Sequence, residues 1–312
     1  MIYTVTLNPA LDRTVTIPDF EAGKVNRIRA MRDDPGGKGI NVSKVIRTLG
    51  GRSLAMGILG GTTGKYIQKS VSEMGIETDF AFTTARTRTN TKIIDPVRHV
   101  TTDVNEPGAP VGKRVLTGVI SRLLSRAASG DIVVFAGRIP AGTSGALIAE
   151  WTKKLSARGA RVFLDADSET LAEGVKAAPY LIKPNETELS QLLGEEMRSL
   201  SDVYGGARRV MDGTGVKYVA VSLGANGALF VSPNGAWRAE AIPVSVLSTV
   251  GAGDAMMAAL AYGFDAGMPE EEAYRWAMAA SAASVTVSGT QSPERPLVES
   301  LYPRAQIRRF AG

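Results

Sequence analysis

Short apolar runs that alternate with amphipathic helical patterns constrain the fold of this 312-residue chain more than any other feature. The clearest runs are Leu54–Leu59, Ile132–Ala136, Arg161–Asp165, Tyr180–Lys183 and Tyr218–Ser222. Because continuous apolar runs of this length are typical of strands covered on both faces, they indicate a parallel sheet. The sequence therefore predicts an α/β fold, with a mostly parallel central sheet, helices on both faces and ligands bound beyond the carboxyl ends of the strands.

Two segments depart from this alternation, Thr14–Arg32 and Thr87–Val104. They alternate polar and apolar residues and are rich in Thr and Arg, which predicts exposed antiparallel strands. We interpret them as a small β-sheet lid, inserted at about 12–34 and 87–104 into a single domain of residues 1–312. No Pro-, Gly- or Ser-rich linker divides the chain. An exposed lid sheet could also pair between two subunits, which would give a homodimer.

The composition excludes several classes of chemistry. The chain has no cysteine, so disulfides, thiolate nucleophiles and cysteine zinc sites are ruled out. Its one histidine, His99, lies in a predicted hairpin tip, and a single histidine cannot build a two-histidine metal site. General-base chemistry at neutral pH therefore falls to a carboxylate, a lysine or a tyrosine.

The charge balance is mildly basic, with 36 Lys and Arg against 31 Asp and Glu. This excess fits either an anionic small molecule or nucleic acid. We disfavour nucleic acid because the arginines do not cluster with aromatic residues that could stack on bases. No apolar run is long enough to cross a bilayer, and residues 1–7 lack the basic region of a signal peptide. We therefore predict a cytoplasmic protein without a membrane partner.

A glycine-rich corner, Ser248–Asp254, precedes the apolar run Ala255–Leu260, which predicts a helix. Gly251 and Gly253 permit a tight turn that directs successive N–H groups at one point, beside the positive end of the helix dipole. Such a corner binds anions. Asp254 adds a carboxylate to the same corner, and this combination suits an enzyme that holds a phosphoryl group and activates a hydroxyl beside it.

A second glycine-rich turn, Pro35–Asn41, enters another predicted helix. Its three glycines let a ligand approach the backbone closely. Lys38 adds a point charge for a phosphate or hydroxyl oxygen, and Asn41 can form a hydrogen bond to a sugar hydroxyl. The alternative is a loop that merely starts a helix.

The segment Lys183–Glu188 opens a further helix. Asn185 and Glu188 have the spacing of a capping box, and that structural role alone could explain them. Their oxygens also suit magnesium and its bound waters. The two roles are not exclusive, and the sequence leaves both open.

Polar residues on two predicted strands form a second candidate anion site. Asp12 follows a strand, where its carboxylate could accept hydrogen bonds from sugar hydroxyls, although Asp is also common in turns. Arg88, Asn90 and Lys92 alternate with threonines and so share one side of a strand. The alternative for this set is a solvated basic face. Further along, Val221–Ala228 predicts two strands joined by a glycine turn.

Five motifs occur in the order found in the ribokinase-like PfkB carbohydrate kinases, which the chain resembles over nearly its whole length. They are Thr6–Asp12, Gly36–Asn41, Lys183–Glu188, Val221–Gly224 and Thr249–Asp254. The resemblance implies an enzyme that uses ATP and Mg²⁺ to convert fructose 1-phosphate into fructose 1,6-bisphosphate. Tagatose 6-phosphate and fructose 6-phosphate are the alternative substrates, and a sugar-phosphate sensor without activity is a more remote alternative.

The resemblance also implies roles for individual residues. Asp254 would be the base, and the anion hole would be formed by Gly251, Ala252 and Gly253. The phosphosugar would be held by Asp12, Gly37, Lys38, Asn41, Arg88 and Asn90, and Arg138, which departs from the family pattern, is added as a further candidate ligand. The nucleotide would contact Lys183, Asn185, Ser222, Gly224, Ala225, Gly227 and Gly253. Magnesium would be held through water by Asn185 and Glu188.

Two points go beyond this pattern. Phe135–Pro140 stands where relatives have Ser-Gly-Ser-Leu-Pro, so Arg138 adds a cation near the expected substrate rim. The helix N-terminus is predicted to lower the pKa of Asp254 and make it a weak base. A weak base suits a loose transition state in which the hydroxyl loses its proton late.

Overall fold

The computed structural model describes residues 1–312, apart from the side chain of Ser168. Its strands are β1 (Ile2–Thr6), β2 (Ala10–Thr16), β3 (Ala30–Gly36), β4 (Ser53–Gly60), β5 (Glu77–Thr83), β6 (Arg88–Asp95), β7 (Val100–Asn105), β8 (Ile132–Ala136), β9 (Arg161–Asp165), β10 (Leu181–Ile182), β11 (Tyr218–Ser222), β12 (Ala228–Ser232), β13 (Gly235–Ala239) and β14 (Ile307–Phe310). Its α-helices are α1 (Lys38–Thr48), α2 (Gly61–Glu73), α3 (Lys113–Arg126), α4 (Ala146–Ser156), α5 (Ser168–Gly174), α6 (Glu186–Leu193), α7 (Leu200–Thr214), α8 (Ala252–Asp265), α9 (Glu270–Ser284) and α10 (Arg295–Leu301).

Ten strands form the central sheet, in the order β14-β13-β12-β11-β10-β9-β8-β1-β4-β5. The strands from β11 to β5 run parallel to their neighbours, and β12, β13 and β14 add an antiparallel edge. The apolar runs at 132–136, 161–165 and 218–222 coincide with β8, β9 and β11, while the run at 180–183 shortens to β10. The predicted α/β architecture is confirmed.

Helices cover both faces of this sheet because its strands are apolar on both sides. One buried cluster joins the sheet to α3, α4 and α7, and another joins the opposite face to α1, α8, α9 and α10. The most extensive contact between helices is that of α8 with α9, which are rich in alanine and so approach each other closely. In the part of the chain that the structure describes, no helix combines the length and apolar character needed to span a membrane.

A separate four-stranded lid sheet has the order β3-β2-β6-β7. In this lid, β2 pairs antiparallel with β3, and β6 pairs antiparallel with β7, but β2 and β6 are parallel. The prediction of antiparallel strands is therefore wrong for the central pair. The reason is that β1 and β5, which lead into β2 and β6, point the same way in the central sheet.

The lid prediction also needs two local corrections. Residues 17–29 form turns and irregular backbone, so the segment Thr14–Arg32 contains only the end of β2 and the start of β3. Asp12 lies inside β2 and not in a turn after a strand. His99 does lie between β6 and β7, with a φ of 54°, as expected for a hairpin tip. The assignment of residues 1–312 to one domain stays a prediction.

Candidate active site

A cavity of about 1130 Å³ lies between the carboxyl ends of the central strands and the lid sheet. All the residues that the sequence singled out as site residues border it, although they come from distant parts of the chain. They are Asp12, Gly37, Lys38, Asn41, Arg88, Asn90, Arg138, Lys183, Asn185, Glu188, Ser222, Gly224, Ala225, Gly227, Gly251, Ala252, Gly253 and Asp254. The parallel sheet explains this convergence, because the loops after its strands all open at one edge.

The glycine-rich corner forms the start of α8. Gly251 caps the helix with a φ of 89°, a left-handed conformation that a side chain disfavours, although a Cβ added there would meet only open space. Ala255 N donates to Gly251 O at 2.8 Å, which closes the first helical turn. The N–H groups at the start of this turn have no intrahelical acceptor, and that of Ala252 makes one long hydrogen bond of 3.5 Å to Thr249 O. These groups border the cavity, so they can bind an anion there.

Asp254 lies in the first turn of α8 with only 6% of its surface exposed. Its Oδ2 accepts a hydrogen bond of 2.9 Å from Asn41 Nδ2. Burial raises the pKa of Asp254 from 3.8 to about 6, against the opposing effects of Lys38, Asn41 and Lys183. The prediction of a lowered pKa is therefore wrong, because removing the carboxylate from water outweighs its place at a helix N-terminus.

A buried carboxylate that the sequence analysis missed holds two of the predicted lysines. Asp165, at the carboxyl end of β9, is 1% exposed, and its two oxygens lie 2.9 Å from Lys38 Nζ and 3.2 Å from Lys183 Nζ. Burial by itself would raise the pKa of Asp165, but Lys183 and Lys38 outweigh it and lower that pKa. The same ion pair raises the pKa of Lys38. The position of Asp165 at a strand end was the signal that could have revealed it.

Lys183 also lies beside the anion-binding corner. A Cβ placed on Gly253 would approach Lys183 Nζ to 3.0 Å, so the glycine leaves room for the ammonium group. Two cations, Lys38 and Lys183, are thus fixed near the first turn of α8 by one carboxylate, Asp165. This arrangement concentrates positive charge where a transferred phosphoryl group would lie.

On the lid side, Asp12 is the centre of a hydrogen-bonded cluster. Its Oδ1 accepts from Asn90 Nδ2 at 3.0 Å, and its Oδ2 accepts from Thr290 Oγ1 at 3.1 Å. Arg88 donates in turn to Asn90 Oδ1 at 3.1 Å. A side chain at Gly36 would overlap the Asp12 carboxylate, which explains the glycine there. Thr290 was missed because nothing in its local sequence predicts proximity to a residue 278 positions away.

Arg138 lies at the rim of the cavity with a side chain that is 74% exposed. Its Nε is 3.5 Å from Asp167 Oδ2, a loose ion pair at the surface. Burial lowers the pKa of Arg88, and the nearby positive charge of Arg138 lowers it further. Lys92, 3.6 Å from Asp103, borders the same cavity. Cations therefore outnumber carboxylates on the lid side of the cavity, although Lys92 and Arg138 are paired with Asp103 and Asp167.

On the opposite side, Asn185 and Glu188 form the predicted capping box at the start of α6. Asn185 Oδ1 accepts from Glu188 N at 2.8 Å, and Glu188 Oε2 accepts from Asn185 N at 2.9 Å. The turn between β11 and β12 brings Ser222, Gly224 and Gly227 to the same wall. Gly227 has a φ of 89°, and a side chain there would overlap the backbone oxygen of Ala239.

The donors present fit magnesium held largely through water. Among the residues that the structure describes, no group of three or more His, Asp or Glu side chains could bind a metal ion directly. One carboxylate oxygen of Glu188, Oε2, accepts the hydrogen bond of the capping box. The side chain that carries both oxygens is half-exposed and borders the cavity. Hard oxygen donors of this kind suit Mg²⁺, which retains several waters and binds substrate phosphates.

The fold and the cavity define a carbohydrate kinase. The pfkB family carbohydrate kinase model matches residues 5–296, and the chain belongs to this family. It is 33% identical over 312 residues to 1-phosphofructokinase of Haemophilus influenzae, covering 100% of this chain and 99% of that protein. It is 38% identical over 295 residues to 1-phosphofructokinase of Rhodobacter capsulatus, covering 94% and 92% of the two chains.

A solved structure shows the same architecture. Phosphofructokinase-2 from Escherichia coli, in complex with substrates and products, superposes with a TM-score of 0.93 at 29% identity, over 97% of this chain and 98% of that one. The same enzyme is also known in a tetrameric inhibited form. The resemblance to the PfkB family, derived from five sequence motifs, is confirmed.

Proposed function

We propose that this protein transfers the γ-phosphoryl group of ATP to the free primary hydroxyl of fructose 1-phosphate, giving fructose 1,6-bisphosphate. The observation that carries the proposal is the meeting of the Asp254 carboxylate and the N–H groups of its helical turn in one cavity. A cationic lid lies on one side of that meeting point and a glycine turn on the other. The two relatives that align with 100% and 94% of this chain are named 1-phosphofructokinase.

In this mechanism Asp254 accepts the proton of the sugar hydroxyl while that oxygen forms a bond to the γ-phosphorus and ADP leaves. The N–H groups at Gly251, Ala252 and Gly253 stabilise the negative charge on the transferred group. In a loose transition state the hydroxyl loses its proton late, so positioning and charge stabilisation supply most of the rate enhancement. A carboxylate with a pKa of about 6 is ionised at pH 7 and can accept that proton.

The nucleotide would lie along the wall formed by the start of α6 and the turn after β11. Its phosphates would face Lys183, while the adenosine would contact Ser222, Gly224, Ala225 and Gly227. Asn185 and Glu188 would hold Mg²⁺ through water, and the ion would neutralise charge on the phosphates.

The phosphosugar would lie under the lid sheet. Asp12 would accept hydrogen bonds from its hydroxyls and Asn41 would donate hydrogen bonds to them, close to the backbone of Gly37. Its existing phosphate would be bound by cations of the lid side, Arg88 with Arg138, and Asn90 would orient the guanidinium of Arg88. Lys38, fixed by Asp165, would lie nearer the reacting hydroxyl.

Initial rates with three sugars test the substrate. Fructose 1-phosphate, tagatose 6-phosphate and fructose 6-phosphate are compared at matched concentrations with a coupled assay for ADP. We expect kcat/KM for fructose 1-phosphate to exceed the other two by at least about tenfold. A flat preference, or a preference for either alternative, would refute the substrate assignment. Binding of the sugars without release of ADP would instead identify a sensor.

We further propose that two copies pair through the lid sheet. Its edge strands β3 and β7 carry exposed apolar side chains, Met31, Val100 and Val104. Exposed edge strands of this kind are prone to pair with another chain. Sedimentation of the protein should show a dimer, and Val104→Lys should shift it to a monomer.

The proposed use of ATP is consistent with a cytoplasmic enzyme.

A further inference from the structure

One buried lysine next to the cavity has no part in the mechanism above. Lys44, on α1, is 6% exposed and does not border the cavity itself. Its Nζ donates to Asn41 Oδ1 and to the backbone oxygen of Thr290, each at 3.2 Å. A lysine removed from water in this way costs stability unless its contacts compensate.

The contact with Asn41 determines which way the asparagine amide points. An ammonium group has only donors, so Asn41 must present its oxygen to Lys44. The NH₂ end then points away, and Asn41 Nδ2 donates to Asp254 Oδ2 at 2.9 Å. If the amide turned over, its NH₂ group would face an ammonium and its oxygen would face a carboxylate. Lys44 and Asp254 therefore select the same orientation of the Asn41 amide, one from each end.

The second contact reaches the lid. Lys44 holds the backbone of Thr290, whose hydroxyl donates to Asp12 Oδ2. Arg32 of the lid strand β3 donates to the backbone oxygen of Ser288 in the same loop. A single ammonium group thus connects the proposed base with the loop that supports the proposed sugar ligand Asp12.

We propose that Lys44 is a positioning residue for phosphoryl transfer: it fixes the Asn41 amide so that Asn41 donates to Asp254, and it ties this pair to the loop that carries Thr290. The proposal rests on the proposed kinase function, in which Asp254 is the base. It assigns Lys44 no contact with either substrate. The expected consequence of losing Lys44 is a slower chemical step with little change in nucleotide binding.

The charges around Lys44 determine its protonation state and so whether it raises or lowers the pKa of Asp254. The carboxylates of Asp34, Asp12 and Asp254 and the guanidinium of Arg32 face it from β3, β2 and α8. Burial lowers the pKa of Lys44 to about 8, against the pull of the three carboxylates, so Lys44 is mainly charged at pH 7. Its positive charge and the Asn41 hydrogen bond both favour ionised Asp254. Removing Lys44 should therefore raise the pKa of Asp254.

Lys44→Met tests the proposal, with Lys44→Arg as the conservative variant that keeps a donor-only cation. For Lys44→Met we expect kcat to fall at least about tenfold while the KM for ATP stays within about twofold. The acid limb of the kcat/KM–pH profile, which reports the free enzyme, should move upward from about 6. Lys44→Arg should recover part of kcat and restore the limb. If Lys44→Met does not fold, Lys44→Gln takes its place.

Ser43→Ala is the matched control, because Ser43 is equally buried on the same helix and bonds to Thr4 and Ser53 instead. It should leave the acid limb in place. An unmoved acid limb in Lys44→Met, or an equal shift in Ser43→Ala, would overturn the positioning role. In an Asp254→Asn background Lys44→Met should cost little further kcat, and additive losses would contradict action through Asp254.

A measurement that needs no substrate separates this proposal from the kinase proposal. Because the folded pKa of Asp254 exceeds its ordinary value of 3.8, its contribution to stability is present at low pH and is lost as pH rises through about 6. The unfolding free energy of the protein minus that of Asp254→Asn, followed against pH, therefore reports this pKa. The pKa of Asp254 obtained in this way should be higher in the Lys44→Met variant. Without turnover of any phosphosugar the kinase proposal fails, whereas an unchanged titration refutes the role of Lys44.

Discussion

The carboxylate of Asp165 lies 2.9 Å from the ammonium group of Lys38, although 127 positions separate the two residues in the chain. The ammonium group of Lys38 is therefore held in one position beside the glycine-rich turn. It is held by a buried anion that also contacts Lys183, so both cations have fixed positions before any substrate binds. Cations fixed in this way require no reorganisation when negative charge develops on a phosphoryl group.

Replacing this anion should affect both stability and activity. Asp165→Asn leaves Lys38 and Lys183 close together without their shared counterion, so we expect the free energy of unfolding to fall by about 3 kcal/mol. The KM for ATP should rise because Lys183 is no longer held. Urea unfolding and steady-state kinetics measure the two effects. Asp167→Asn is the control, since that surface carboxylate pairs loosely with Arg138 and should change stability little.

Removing the proposed base should slow the reaction without releasing the nucleotide. Asp254→Asn keeps the shape of the side chain and its contact with Asn41 but cannot accept the proton. We expect kcat to fall by at least about a hundredfold, and ATP binding to stay close to that of the unmodified protein. Single-turnover kinetics and calorimetric titration with ATP measure these effects. Comparable turnover in this variant would remove Asp254 from the mechanism.

The raised pKa of Asp254 predicts the pH dependence of the reaction. A base must be ionised, and Asp254 loses its proton only as pH rises through about 6. We therefore expect kcat/KM to be level near pH 7.5 and to fall about tenfold for each pH unit below 6. The profile is measured between pH 5 and 8, in a range where circular dichroism shows that the fold persists. A level profile down to about pH 5 would contradict a raised pKa.

Arg138, the departure from the family pattern, should act on the sugar and not on the nucleotide. Arg138→Ser removes a cation beside Arg88 at the cavity rim, so we expect the KM for the phosphosugar to rise severalfold. The KM for ATP should stay unchanged. Arg86→Ser is a suitable control because Arg86 is also exposed, pairs with Glu106 and does not border the cavity. Equal effects of the two variants would assign Arg138 no part in binding.

Gly253 should be needed because of the lysine beside it. Gly253→Ala would place a Cβ 3.0 Å from Lys183 Nζ, so the ammonium group must move. We expect a several-fold rise in the KM for ATP, with little loss of stability because alanine favours the helix. Gly213→Ala, in α7 with open space around it, provides a matched control for the helical effect alone. A KM for ATP unchanged by Gly253→Ala would show that the position of Lys183 is unimportant.

Much of the fold and of the cavity could be predicted because the signals are local. Apolar runs defined β8, β9 and β11, and the glycines before Asp254 indicated the tight turn that starts α8. The capping box of Asn185 and Glu188 is likewise encoded by two residues three positions apart. Patterns of this kind depend on backbone geometry and periodicity, which neighbouring residues specify by themselves.

The sequence by itself thus determined the α/β architecture, the two glycine-rich turns and the side chains available for chemistry. Only the tertiary structure decided that Asp165 joins Lys38 to Lys183, that β2 runs parallel to β6, and that the pKa of Asp254 rises. Burial and the distance between charges depend on residues that the chain brings together from far apart. A helix N-terminus and a desolvated site shift the pKa of a carboxylate in opposite directions, and only packing decides which effect is larger.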